Sequence, residues 1–306
     1  DMLSYELSEM GMEGVEIEDH VPLSEEDRKI MYVDLLPDEI APDDGKARIS
    51  CYVDEKEDLQ AVIAKVKAKI EELSAFLPVG SGEITLGVTE EEDWINNWKQ
   101  YWHTFTIGNL YIKPTWEAVT DDMKGHPVLS IDPGTAFGTG QHETTQLCIR
   151  QLRKYVTEDT RILDVGCGSG ILGMLALMFG AKYSVGTDLD PCAIDATYEN
   201  MEVNGISKDK YEVMIGNIID DKAVQDKVGY GCYDIVVANI LADVLVPLTP
   251  VIVNQLKDGG IYVTSGIIED KEETVKAAVE AAGLTVLEVH HQGEWVSVTA
   301  RKETKA

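Results

Sequence analysis

The chain has 306 residues, 44% of them apolar, and carries 26 Lys/Arg against 55 Asp/Glu, a formal charge of −29. Its length and apolar content suit two cored domains, while the charge disfavours nucleic acid as a direct partner, because neutralising phosphates takes clustered cations. Five cysteines, odd in number and without a C-x-x-C pair, argue against zinc or a disulfide framework and for a reduced, cytoplasmic setting; no apolar run reaches membrane-spanning length.

In chain order, the first 90 residues alternate short helix and strand signals. Met2 to Met10 reads as helical, and Val15–Ile17, Arg48–Val53 and Ile84–Val88 as strands. Leu59, Val62, Ile63, Val66, Ile70, Leu73 and Leu77 recur at three and four, the stripe of a helix packed on a sheet. A small α+β domain over 1–90 follows, ferredoxin-like if one more strand precedes Met2. The chain opens without an initiator Met, so that strand is expected upstream. Residues 1–60 hold 19 Asp/Glu against 5 Lys/Arg, either a solvated surface or a docking face for a basic protein. Residues 37–45, with two prolines and a glycine, read as a loop.

Glu90–Asp93 precede Trp94, Trp98 and Trp102 at i, i+4 and i+8. Acidic residues suit a helix start, so a connector helix with an aromatic stripe is expected over 91–105, its indoles packed between the domains. Residues 106–306 form the second domain, introduced by strands at Ile107–Ile112 and Val128–Ile131.

Asp132 to Thr145 is a glycine-rich loop running into a helix near His142. It has neither lysine nor a phosphate-loop pattern, so ATP chemistry is not expected. It reads as a lid, with Phe137 excluding water and Thr145 offering a hydroxyl. His142 is read first as a structural residue at a helix start and second as a base.

Arg161–Val165 is a buried strand entering Gly166-Cys167-Gly168-Ser169-Gly170 and then an apolar helix. Such a turn leaves amides unpaired at a helix start and lets a ligand approach the backbone. The spacing is G-x-G-x-G, and Ile171 stands where a dinucleotide fingerprint wants its third glycine, which weakens a nicotinamide reading. Asp188, ending the next strand about 20 residues on, suits ribose hydroxyls. Asp164 adds a second carboxylate near Gly166, Gly168 and Gly170, which suits a ligand bearing an ammonium and a sulfonium. S-adenosylmethionine fits both observations.

Strands are expected near 162–165, 184–188, 211–215, 233–238 and 260–264, with helices between, notably 191–204. Leu284–Val289 and Trp295–Ala300 close the chain. The result is an α/β fold, a doubly wound, mostly parallel sheet with a terminal antiparallel hairpin. Ligands sit beyond the carboxyl ends of such strands, where Asp164, Asp188, Asn217 and Asn239 fall. Asn239-Ile240-Leu241-Ala242 departs from the Asn-Pro-Pro-aromatic pattern of enzymes that methylate amide or exocyclic nitrogen, which argues against adenine or glutamine nitrogen and leaves room for an aliphatic amine.

Over nearly its whole length the chain resembles the bacterial ribosomal protein L11 methyltransferases. The resemblance is carried by 94–98, the Asp132–Thr145 loop, Asp164–Leu172, Asp188–Pro191 and Val237–Ala242. It implies a class I methyltransferase domain, an N-terminal domain that recognises the substrate protein, and a mobile connector. It also implies methylation of lysine side chains and the N-terminal amine of that protein, with Thr145, Gly166, Asp188 and Asn239 contacting S-adenosylmethionine. Asn239 is expected to orient the amine or the methionine portion and Phe137 to close the site; a monomer and no metal are expected. The rival readings are a release-factor glutamine or small-molecule methyltransferase, a non-catalytic ribosomal-protein chaperone that binds S-adenosylmethionine, and a nicotinamide oxidoreductase.

Overall fold

The computed structural model describes residues 3, 6–7, 10, 12–18, 45, 47–53, 57–76, 79–87, 102–132 and 138–304; the chain divides into two compact units, Asp1–Glu91 and Glu92–Ala306. In the first unit, β1 (Glu13–Glu18) and β2 (Arg48–Tyr52) pair antiparallel. Helix α1 (Leu59–Ser74) comes next and is capped by Asp58, whose Oδ1 accepts from the amides of Gln60 and Ala61 at 3.0 and 3.3 Å. Its stripe ends on the buried Leu73. The strand expected at Ile84–Val88 does not form: residues 84–87 have no regular structure, and Val88 lies outside the described residues. An alternating run becomes a strand only where a neighbour takes up its amides, and no described strand pairs with this one. Of the ferredoxin-like pattern the described residues show two strands and α1, with Leu3, Glu6 and Leu7 also helical.

Trp94 and Trp98 lie outside the described residues. Trp102 is not helical: it is buried in the core of the second unit, 5.8 Å from the ring of Trp116. The aromatic side chain expected between domains is therefore, at this position, a core residue of one of them.

The second unit begins with a three-stranded sheet, β3 (Phe105–Ile107), β4 (Leu110–Pro114) and β5 (Val128–Ile131). The run expected as a single strand, Ile107–Ile112, is a hairpin; Gly108, at φ +62°, and Asn109 make its two-residue turn. The main sheet has seven strands: β6 (Arg161–Val165), β7 (Tyr183–Asp188), β8 (Tyr211–Ile215), β9 (Tyr233–Asn239), β10 (Leu256–Ile268), β11 (Leu284–Gln292) and β12 (Trp295–Lys302). Their spatial order is β11-β12-β10-β9-β6-β7-β8. All pairings from β10 to β8 are parallel, whereas β12 enters antiparallel between β10 and β11, the single inverted strand expected of the terminal hairpin.

The helices are α2 (Glu143–Tyr155), α3 (Ile171–Met178), α4 (Cys192–Val203), α5 (Lys222–Val228), α6 (Ala242–Ile252) and α7 (Glu272–Ala281). They cover both faces, which is why the central strands read as continuous apolar runs: Ile162, Leu163, Val236 and Val237 are fully buried. Two cores result, one containing Ile162, Met174 and Tyr211, the other Leu163, Tyr233 and Leu245. The chain leaves β6 towards β7 and β8 but later returns to place β9 on its other side. The crevice between β6 and β9, at the strands' carboxyl ends, is the switch point at which such sheets bind ligands.

Helix α4 also secures β5. Asn204 donates to the Ser130 carbonyl at 2.6 Å and accepts from its amide at 2.8 Å; one turn earlier Asn200 does the same for Asp132, at 3.0 and 2.8 Å. The two amides, at i and i+4, imitate a neighbouring strand for alternate residues of the β5 edge.

Candidate active site

At the end of β6 the chain turns sharply through three glycines, all in the left-handed region: Gly166 at φ +73°, Gly168 at +50° and Gly170 at +78°. Any other residue would be strained there. Contact closes off two of the positions as well. A Cβ on Gly166 would lie 2.7 Å from Ile240 Cγ2, and one on Gly170 would lie 2.6 Å from Thr197 Cγ2. The amides of Gly166 and Cys167 both donate to the Thr187 carbonyl, at 2.8 and 3.1 Å, locking the turn to the end of β7.

Asp188 stands beside the turn. Its Oδ2 accepts from the Gly168 amide at 2.8 Å and its Oδ1 from the Asp190 amide at 3.0 Å. Each oxygen keeps a further lone pair, enough for two ribose hydroxyls. The next side chain, Leu189, is 68% exposed, an apolar surface beside Asp188 that sequence reading passed over. Asn217, at the end of β8, is occupied locally: its Oδ1 accepts from the Ile219 amide at 3.0 Å and its Nδ2 donates to Asp220 at 3.1 Å.

Asp164 lies near the end of β6. It is 1% exposed, and its Oδ2 accepts from the Gly173 amide at 3.0 Å and the Tyr211 hydroxyl at 3.2 Å. Burial pushes its carboxyl up to about 7, the two hydrogen bonds opposing the shift and the nearby Asp188 adding to it. Through these bonds Asp164 ties β6 to α3 and β8, while its Oδ1 is buried without a partner among the described residues and keeps an acceptor for the ligand ammonium expected there. Gly173 belongs to the same junction, since a Cβ there would sit 2.5 Å from the Tyr211 oxygen.

Across the crevice, Asn239 ends β9 and donates through Nδ2 to Thr145 Oγ1 at 3.1 Å. Its Oδ1 is buried and has no partner among the described residues. Turning the amide over would exchange the two atoms but leave one without a partner, because the threonine hydroxyl can donate or accept. A buried amide group without a partner costs about 1–3 kcal/mol, a cost that a polar ligand group or a water placed here would remove. Asn239 is held in place through its neighbour Ile240. The Ile240 amide donates to the Ser265 carbonyl at 3.1 Å, and Gly266, at φ +83° in an irregularity of β10, leaves room for the Ile240 backbone; a Cβ there would lie 2.5 Å from its oxygen. The sequence pattern singled out Asn239 but not the glycine that seats it.

Phe137 lies outside the described residues. The loop resumes at Gly138, whose carbonyl accepts from Ser169 Oγ at 2.7 Å. His142 is structural: it caps α2, bonding Thr144 Oγ1 at 2.9 Å, and packs edge-on against Trp295 with centroids 5.0 Å apart. No metal-ligating cluster occurs among the described residues, none of the described cysteines form a disulfide, and no described helix is long and apolar enough to cross a membrane. A separate open cavity lined by Arg161, Tyr183 and Tyr233 lies at the amino ends of the strands, away from this chemistry.

A family model described as ribosomal protein L11 methyltransferase matches residues 1–303. The chain belongs to this family. A relative of that description from Lachnospira eligens is 57% identical over 99% of this chain and 95% of its own, and one from Agathobacter rectalis is 52% identical over 100% and 95%. A crystal structure of ribosomal protein L11 methylase from Lactobacillus delbrueckii subsp. bulgaricus aligns with a TM-score of 0.59 at 28% identity, covering 66% of this chain and all of that one. The family's cofactor is S-adenosylmethionine. The residues fit it: a glycine turn that excludes side chains, a carboxylate with spare lone pairs where a ribose would lie, and an amide oxygen awaiting a polar group.

Proposed function

We propose that this protein methylates ribosomal protein L11 on aliphatic amines, lysine side chains and the N-terminal α-amine, with S-adenosylmethionine as donor. The observation that carries the reading is the unpartnered Asn239 Oδ1, buried at the carboxyl edge of the sheet next to Thr145. In this reading Gly166, Gly168 and Gly170 receive the cofactor's methionine end and Asp188 its ribose. Asn217 lines the adenine side through its backbone, its side chain being occupied, and Thr145 fixes the Asn239 amide. Phe137 closes the site.

The chemistry the cofactor supplies when bound is an electrophilic methyl group on a sulfonium. The acceptor amine must first lose a proton, since a lysine ammonium has a pKa near 10.4 in water. A dry site lowers that value and lets bulk water take the proton, so no dedicated base is required. Asn239 Oδ1 then accepts an N–H of the neutral amine and aims its lone pair. Alignment of this kind can contribute about 7–11 kcal/mol, and most of the rate is assigned to it. An amide is suited to the task because it orients the amine without protonating it.

Residues 1–90, acidic in the sequence, serve as the unit that recognises the basic substrate, and the expected connector, 91–105, runs into the methyltransferase domain, whose core already takes in Trp102 and whose first strand starts at Phe105. The protein acts as a cytoplasmic monomer and does not bind nucleic acid directly. Transfer of radiolabelled methyl from S-adenosylmethionine to free L11 tests the reading. Asn239→Ala is expected to lower kcat at least about a hundredfold, the scale on which oriented polar contacts act at a reacting centre; activity near that of the parent excludes the role.

A further inference from the structure

Two buried polar side chains of α4 take no part in the chemistry above, yet both reach the glycine turn. Thr197, fully buried, donates through Oγ1 to the Gly168 carbonyl at 3.1 Å. Asn200, 1% exposed and one turn further on, donates through Nδ2 to the Ser169 carbonyl at 3.2 Å while its other bonds hold Asp132. Gly168 is thus gripped on both sides, its amide by Asp188 and its carbonyl by Thr197. Both grips come from the end of β7 and the helix after it. Thr197 also packs against Gly170, filling the space a Cβ there would need.

Glycine has more conformational freedom to lose than any other residue, a G-x-G-x-G turn holds three of them, and fixing one residue costs about 1–2 kcal/mol. Unless the protein fixes it beforehand, the cofactor must do so on binding. We infer that Thr197 and Asn200 are positioning residues that pre-set the cofactor's turn from behind, through the Gly168 and Ser169 carbonyls, and so set affinity for S-adenosylmethionine rather than the rate of transfer. The inference rests on the turn being the cofactor site. Pre-ordering acts on binding; the methyl and the amine meet on the other side, at Asn239.

The test uses the full chain. Thr197→Val keeps shape and packing against Gly170 but removes the donor; Thr197→Ser keeps the donor. Calorimetry with S-adenosylhomocysteine and steady-state kinetics with saturating L11 are expected to show Kd and the KM for S-adenosylmethionine raised about tenfold in Thr197→Val, with kcat at saturating cofactor within about twofold of the parent and Thr197→Ser close to the parent. Asn200→Ala reads out the second contact in the same way if Thr197→Val does not fold. Asp188→Ala is the control for the site itself. Weakened binding in Asp188→Ala with unchanged Kd in both α4 variants overturns the inference and leaves the site in place. Unchanged binding in Asp188→Ala removes the site and the inference with it. A fall in kcat without a change in KM also overturns it, because a merely structural disturbance would act in that way.

Discussion

At the scale of single residues, three carboxyl and amide groups differ in what the protein leaves unpaired. Asp188 keeps spare lone pairs, Asn239 keeps a partnerless amide oxygen, and Asp164, fully buried, is bonded to α3 and β8 through one oxygen only. A buried acid whose folded pKa is raised binds its proton more tightly in the native state than in the unfolded one. Its contribution is therefore fully present below the unfolded value near 4 and is lost as pH rises towards about 7. In Asp164→Asn the neutral amide does not titrate. Thermal unfolding followed from pH 4 to 8 is expected to show the parent losing stability relative to this variant by up to a few kcal/mol as pH rises, with the difference levelling off above about pH 7. A difference independent of pH would mean that Asp164 is not the buried titrating group. Asp188→Ala, by contrast, is expected to raise the KM for S-adenosylmethionine about tenfold or more, since a charged acceptor of two hydroxyls is lost; kinetics at saturating L11 measure it.

At the scale of elements, the sequence was most legible where burial is continuous. Strands β6, β7, β8 and β9 fall within a residue or two of their expected bounds, because strands covered on both faces leave an unbroken apolar signature. The inverted β12 was legible from Gly293 between two alternating runs. Three features were not. The hairpin at Gly108–Asn109 was hidden by apolar residues on both sides, and Ile84–Gly87 has strand-like alternation without a described partner. The support behind the site also escaped, because contacts such as Thr197 to Gly168, or Gly266 against Ile240, link residues far apart in sequence without a local pattern. Gly266 yields a prediction of its own. Gly266→Ala adds a Cβ at a positive φ and against the Ile240 backbone, displacing the element that carries Asn239. It is expected to destabilise by about 1–3 kcal/mol and to lower kcat more than it raises the KM for S-adenosylmethionine; denaturant unfolding and kinetics on the folded fraction check both.

At the scale of the whole molecule, a charge of −29 fits a cationic protein as substrate. Attraction of that kind is screened within about 8–10 Å at physiological salt. Raising ionic strength is therefore expected to raise the KM for L11 while leaving the affinity for S-adenosylhomocysteine nearly constant, as steady-state kinetics and calorimetry would show. The acidity has an opposing effect, since negative surroundings favour the ammonium form of an approaching lysine. Transfer then depends on the amine being stripped of water at Asn239 before it reacts. The most direct measurement is intact-mass and peptide mass spectrometry of free L11 after incubation with the enzyme and S-adenosylmethionine. Whole-methyl increments confined to lysine side chains and the N-terminal amine are expected, accumulating at least about a hundredfold more slowly with Asn239→Ala; an unmodified L11, or methyl groups on glutamine or another amide nitrogen, would rule this chemistry out.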